Sequence, residues 1–264
     1  MLKVARRSFL TSADPVKADF YERAILNGIV GNQNREASGA TSYIYMQPLG
    51  GANTKPWGKS DFGFPCCWGT LSESFAKLGD SIFFWQPATM KAAKGTAALY
   101  VNQFQSAKVA LKHLPGKVSV TQTSNFPIDA TKTTTLTVNG GGDFAIMLRV
   151  PEWATSSKNS VKINGKEVSG APYKTSTYLR FAQVWKDGDV IEVQFPMSLW
   201  TDPLNDYHAW HNATLAFMYG PLVLAGVHLE TDIWVPKGGT IGAKKNPVRL
   251  NRTVVHRALV CLPA

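Results

Sequence analysis

Two adjacent cysteines, Cys66 and Cys67, are the residues of this 264-residue sequence whose type and spacing could do chemistry. They lie in the run Pro65-Cys66-Cys67-Trp68-Gly69-Thr70. Neighbouring cysteines can close only a strained ring with each other, and three cysteines in all, the third being Cys261, do not make a disulfide framework. Two readings stay open: small buried side chains, or thiolates that bind a metal or attack as a nucleophile. Thr70 and Glu73 have the spacing of a capping box, which puts the pair three and four residues ahead of a helix cap. Free amides and the helix dipole favour a thiolate there. Thiolates are good zinc ligands, and a metal or a helix end lowers a thiol pKa well below its free value of about 8.5. Two ligands do not complete a zinc site. His208 and His211 read as surface groups in a loop-like stretch, and His113, His228 and His256 are isolated.

The elements that must position this pair are helical before it and extended after it. Residues 1–10 read as a helix without a cap. Asp14-Pro15 starts a second, with Asp as cap and Pro at the first helical position. Tyr21, Ile25 and Ile29 recur at spacing four on one face, and Gly31 stops it. A third helix is predicted over about residues 71–77, with Leu71, Phe75 and Leu78 on one face. From Ser81 the period becomes two. Residues 133–138, 144–150, 161–164, 178–181 and 190–195 are short alternating or β-branched runs. Asn164-Gly165 and Asp187-Gly188 are two-residue turns of the hairpin type. Further strands follow at 215–219 and 222–224, and past Glu230 the pattern dissolves into Gly, Lys and Pro. The fold class is α+β: a helical part over 1–90, an antiparallel sandwich over 91–203, and further strands with an irregular basic tail over 204–264.

Composition bounds the function classes. Apolar residues are 44% and charged residues 17%, enough to bury a sizeable core and too apolar for a disordered chain. No run approaches the roughly 20 apolar residues of a membrane helix, and the basic start has no apolar block behind it, so neither membrane nor leader is read here and the compartment is left unassigned. The net charge of +10 is spread singly or in pairs, without the stripe that tracks phosphates, so no nucleic-acid partner is expected. Asn212 and Asn251 match a glycosylation pattern that is common by chance.

The run Phe64-Pro65-Cys66-Cys67-Trp68-Gly69-Thr70, followed by Ser74-Phe75-Ala76-Lys77-Leu78-Gly79-Asp80-Ser81-Ile82-Phe83-Phe84, resembles the metal-site segment of the β-L-arabinofuranosidase-type glycoside hydrolases, GH127 and relatives. Tyr21-Glu22-Arg23-Ala24-Ile25-Leu26-Asn27-Gly28 and Tyr45-Met46-Gln47-Pro48-Leu49 resemble two upstream blocks of that family. Leu99-Tyr100-Val101-Asn102-Gln103-Phe104, Leu148-Arg149-Val150-Pro151-Glu152-Trp153-Ala154, Trp185-Lys186-Asp187-Gly188-Asp189-Val190 and Tyr219-Gly220-Pro221-Leu222-Val223-Leu224-Ala225-Gly226 resemble its sandwich. The blocks run in order over about residues 1–228.

The resemblance implies the end of an (α/α)6 barrel, two or three helices, followed by an antiparallel β-sandwich. It implies retaining cleavage of non-reducing-end β-L-arabinofuranosides or a related sugar, with zinc as cofactor and a carbohydrate as partner. Cys66 would be the nucleophile and a zinc ligand, Cys67 a second ligand, and Glu22 and Tyr45 sugar-contacting residues. The family's other ligands, a Glu and a Cys two apart, and its acid/base carboxylate fall upstream of Met1, so the chain is expected to be incomplete and inactive alone. Its helices are then expected to expose an apolar face. The alternative is a non-catalytic carbohydrate-binding or structural sandwich, with Trp153, Trp185 or Trp200 as stacking platforms.

Overall fold

A computed structural model describes residues 1–33, 44, 66–90, 95–129, 133–205, 207–208 and 214–224. The chain divides into two units: Met1–Leu26, Ala76–Trp200 and Tyr219–Leu222 form the first, and Asn27–Phe75, Thr201–Met218 and Val223–Ala264 the second.

Helix α1 (Leu2–Ser12) ends where Ala13 turns left-handed, its N–H reaching back to the Phe9 carbonyl at 2.7 Å. Helix α2 (Pro15–Ala24) starts as its sequence predicts: the Asp14 carboxylate accepts from the Val16 N–H at 3.0 Å and Pro15 follows the cap. Beyond Ala24 the expected continuation to Gly31 is not α. It loosens to a π turn over Ile25–Ile29 and tightens to a 3-10 turn over Val30–Asn32. Tyr21 and Ile25 are buried and Ile29 is partly buried. The large apolar residues exposed on α1 and α2 are Val4, Leu10, Val16 and Phe20, while the row expected to form an exposed face is instead covered at Tyr21 and Ile25.

Two sheets build the rest of the first unit. The four-stranded sheet has the order β1 (Phe83–Gln86), β2 (Ala98–Val101), β6 (Gly142–Val150), β9 (Thr177–Trp185). The six-stranded sheet has the order β3 (Ala107–Ala110), β4 (Ser119–Thr123), β5 (Thr134–Asn139), β10 (Val190–Gln194), β7 (Ser160–Ile163), β8 (Lys166–Glu167). Strand β6 is covered on both faces, which is why its sequence is nearly unbroken apolar. Phe144, Ile146, Leu148 and Val150 point one way into the sandwich core, with Leu136, Val138, Val161 and Ile191 also fully buried there. Ala145 and Met147 point the other way. They join Phe9 and Ala18 of the helices, Ala98 and Tyr100 of β2, and Phe84 and Tyr178 in a second apolar cluster. The Phe9 ring lies 4.6 Å from Phe84 and edge-on to Tyr100 at 5.9 Å, so α1 is held to the sheet by aromatic packing.

The remaining strands β11 (Leu199–Pro203), β12 (Leu215–Tyr219) and β13 (Leu222–Val223) form a three-stranded sheet. Two sequence expectations need correcting. Strands β2 and β6 pair in parallel, so the sandwich is not antiparallel throughout. Asn164-Gly165, both at positive φ, does turn a hairpin between β7 and β8, but Asp187-Gly188 joins β9 to β10, which lie in different sheets. Only Gly188 there has positive φ, and Asp187 is occupied as an acceptor from the Gly140 N–H at 2.7 Å.

That Gly140 is at φ +77°, and a Cβ on it would sit 2.7 Å from the Lys117 carbonyl oxygen. Gly140→Ala is therefore expected to cost about 1–3 kcal/mol. Urea unfolding followed by tryptophan fluorescence measures it, and an unchanged midpoint would show that the turn can relax.

Candidate active site

Cys66 and Cys67 are the first described residues of helix α3 (Cys66–Ala76). The capping-box expectation fails here. Thr70 lies inside the helix, where its hydroxyl bonds back to the Cys66 carbonyl at 3.3 Å, as Ser74 does to Thr70 at 2.9 Å. The cysteines are thus in the helix rather than ahead of it. Trp68 and Leu71 are its buried residues, three apart on one face. The Cys66 side chain is exposed, that of Cys67 partly so, and neither is in a disulfide. The bland reading of two buried side chains does not fit an exposed Cys66. Among the described residues no group of three or more His, Cys, Asp and Glu side chains is placed to hold a metal ion. Tyr45, Cys261, His211, His228 and His256 lie outside the described residues. His208 packs on Tyr207 with ring centroids 3.9 Å apart, and His113 stacks on Trp85 at 6.4 Å.

Glu22 is in a different setting, in the first unit. It shares a buried ion network with Asp19, one helical turn earlier on α2, and with Arg149 on the helix-facing side of β6; they are 1%, 3% and 0% exposed. The Arg149 guanidinium donates to Asp19 Oδ1 and, at 2.6 Å, to Glu22 Oε1, while its Nε–H donates to the Asn102 carbonyl at 2.7 Å. Trp153 Nε1 donates to the other Glu22 oxygen at 2.8 Å. Asp19 also accepts from the Ser176 hydroxyl at 2.7 Å and from the Glu152 N–H at 3.2 Å. Tyr178 donates to Asn102 Oδ1 at 2.5 Å, and the Phe104 ring lies 5.6 Å from the guanidinium carbon. Two carboxylates and one guanidinium sum to a formal charge of −1 in a buried place, where screening is weak. Burial accordingly pushes the Glu22 carboxyl above its ordinary value, although Arg149 and the Trp153 N–H pull it back down. For Arg149 burial opposes the charge, and the two carboxylates outweigh it and hold the guanidinium above its ordinary value. Burial also raises the Tyr178 phenol, which stays a neutral donor.

Residues 1–80 match the sequence profile described as the β-L-arabinofuranosidase GH127 catalytic domain, and residues 98–197 match that of the GH127 middle domain. The chain belongs to the GH127 β-L-arabinofuranosidase family. Similar solved structures are Ara127N-Se, a GH127 β-L-arabinofuranosidase from Geobacillus stearothermophilus T6, at 25% identity and TM-score 0.63, and the GH127 β-arabinofuranosidase BT3674, at 26% and 0.66. They are matched over 83% and 84% of this chain and 34% and 35% of theirs. A further structure described as a glycoside hydrolase shares the fold at 19% identity and TM-score 0.66, over 84% of this chain and 36% of its own. The GH127 chain thus spans about a third of the length of these structures. No curated protein matches it. Their family fold of helical barrel and β-sandwich agrees with the fold class read from sequence.

Within this GH127 chain, Glu22 is neither the exposed helix carboxylate of a plain helix surface nor an open acceptor, since both oxygens already have protein donors. Sequence reading missed its partners. In the sequence Asp19 is not singled out, Arg149 appears only within a family block, and Trp153 reads as a stacking platform. The available signal was Arg149 itself, the one charged residue in the otherwise apolar run from Phe144 to Val150. The stacking-platform alternative also loses support. Trp153 and Trp185 are buried, their N–H groups bonded to Glu22 and the Phe144 carbonyl, and Trp200 donates to the Gly220 carbonyl at 2.8 Å.

In the GH127 chain Arg149→Met would leave two carboxylates buried without their cation and is expected to cost about 3–5 kcal/mol. The pH dependence has a definite sign. Glu22 binds its proton more tightly folded than unfolded, so its contribution to stability is greatest below its ordinary pKa of 4.5. That contribution falls as pH rises from there to the raised value. Glu22→Gln should remove this fall. Denaturant midpoints between pH 4 and 8 measure both variants; a Glu22→Gln slope equal to wild type would show that Glu22 does not carry the proton.

Proposed function

We propose that this chain is part of a retaining glycoside hydrolase that cleaves non-reducing-end β-L-arabinofuranosides, or a closely related sugar, with Cys66 as nucleophile. The observation that carries the reading is the exposed Cys66 thiol beside Cys67, within the residues that match the GH127 catalytic domain. Two adjacent soft sulfur donors suit zinc, and Cys66 and Cys67 would hold it here. Bound zinc supplies a sulfur kept as thiolate at neutral pH.

In the proposed reaction the Cys66 Sγ attacks the anomeric carbon as the glycosidic C–O bond breaks, and the leaving oxygen takes a proton from a general acid. Water then displaces sulfur from the same carbon, giving its proton to the conjugate base of that acid, which restores the acid, the thiolate and the original anomeric configuration. None of the described residues is assigned as that acid. Tyr45 is proposed as a sugar contact on the family resemblance. Glu22 is proposed in the same role only through lone pairs that Arg149 and Trp153 leave over.

Two thiols leave further coordination positions to water, so the isolated chain should bind zinc weakly and turn over an aryl β-L-arabinofuranoside poorly or not at all. Stoichiometric zinc that survives dialysis, or clear turnover, would show that further ligands and an acid come from elsewhere in the chain. In a complete enzyme carrying these residues, Cys66→Ala should abolish the covalent intermediate even where zinc remains. Cys67→Ala should lower zinc content and activity together, and Glu22→Gln should raise KM at unchanged zinc. Zinc by mass spectrometry beside kcat and KM separates the three. Full activity in Cys66→Ala would end the nucleophile assignment.

A further inference from the structure

Between the helix pair and the edge of the four-stranded sheet lies a small cleft lined by two buried polar side chains that nothing described so far uses. Ser81 is 3% exposed and Gln103 is 2% exposed, and both line it. Among the described residues the Ser81 hydroxyl and both side-chain amide atoms of Gln103 meet no hydrogen-bond partner. The Gln103 main chain, by contrast, is held at both ends: its N–H points to the Ile82 carbonyl at 3.4 Å and its carbonyl accepts from Gln122 Nε2 at 2.8 Å. The main chain is thus fixed, and the side-chain amide is buried where leaving it unpaired is costly.

The surroundings select the occupant. Phe9, Tyr21 and Phe84 also line the cleft, as do the part-exposed Arg6 and Lys17. Both of these cations are already paired, Arg6 with Asp80 at 3.0 Å and Lys17 with Asp14 at 3.8 Å, so no charge is left over to hold an anion, and no carboxylate lines the cleft to hold a cation. The space open to the centre of a water-sized particle is about 10 Å³, room for about one water and too little for a sugar or a phosphate. We propose that this cleft is a binding site for a single water, hydrogen-bonded to the Ser81 hydroxyl and the Gln103 carboxamide. The water acts as a polar pin in the otherwise apolar packing of the helices on the sheet.

The test uses the full chain. Water-selective NMR should show a cross-peak between water and the Gln103 side-chain amide protons, with the sign that marks a long-resident water. The peak should persist in Ser81→Ala, which removes the hydroxyl that could relay exchange. Gln103→Leu, which strands the water, should lower the melting temperature by about 2–4 °C. Absence of the cross-peak in the wild-type chain would overturn the proposal whether or not the variant folds. So would a Gln103→Leu chain that melts higher than wild type, the result for a dry cleft.

Discussion

The buried contact between Arg149 and the carboxylates of Asp19 and Glu22 is the constraint on which the rest of this structure depends. It ties α2 to β6, and through Ser176, Asn102 and Tyr178 it reaches β9 and the segment after β2. Apolar packing around Phe9 brings the helices onto the sheet but tolerates sliding. A guanidinium with its donors committed in fixed directions does not. Such a network adds less to stability than its short distances suggest, because three charges had to leave water. Its more definite effect is on register, since any other seating of α2 strands a charge.

This network joins the two family regions the chain contains. Asp19 and Glu22 lie in residues matched to the GH127 catalytic domain, and Arg149 and Trp153 in residues matched to the middle domain. In the first unit the β-sandwich is thus more than a neighbour of the helices; it provides both donors to Glu22. The proposed nucleophile is carried by α3, a helix on which Cys66 is exposed and Trp68 and Leu71 are buried. The proposed nucleophile is an exposed thiol, and Glu22 is an enclosed acid whose ionisation burial resists.

Local signals were readable in sequence where a local cause sets the structure. Asp14-Pro15 starts α2 because the cap and the fixed proline φ act within three residues. Residues 215–219 form β12, and Asn164-Gly165 turns a hairpin because both residues adopt positive φ. Thr70 and Glu73 misled because the capping pattern occurs equally well inside a helix, and only the preceding turn decides. Asp187-Gly188 misled because a two-residue turn does not say whether the chain returns to the same sheet. The Arg149 network was hidden for a different reason. Its acids lie 130 and 127 residues away, and a lone arginine in an apolar run does not say which acids it meets until the element packed on that face is known. The cysteine pair stood out from residue type alone, but the family resemblance, not spacing, assigned its chemistry.

The central claim is that Cys66 and Cys67 act as a thiolate pair for zinc, which prepares Cys66 for attack. X-ray absorption at the zinc edge on the zinc-loaded chain tests it most directly. The account predicts two sulfur neighbours at about 2.3 Å, with oxygen or nitrogen completing the shell, and loss of sulfur from the shell in the Cys66→Ala, Cys67→Ala double variant. A first shell of oxygen and nitrogen alone in the wild-type chain would contradict it.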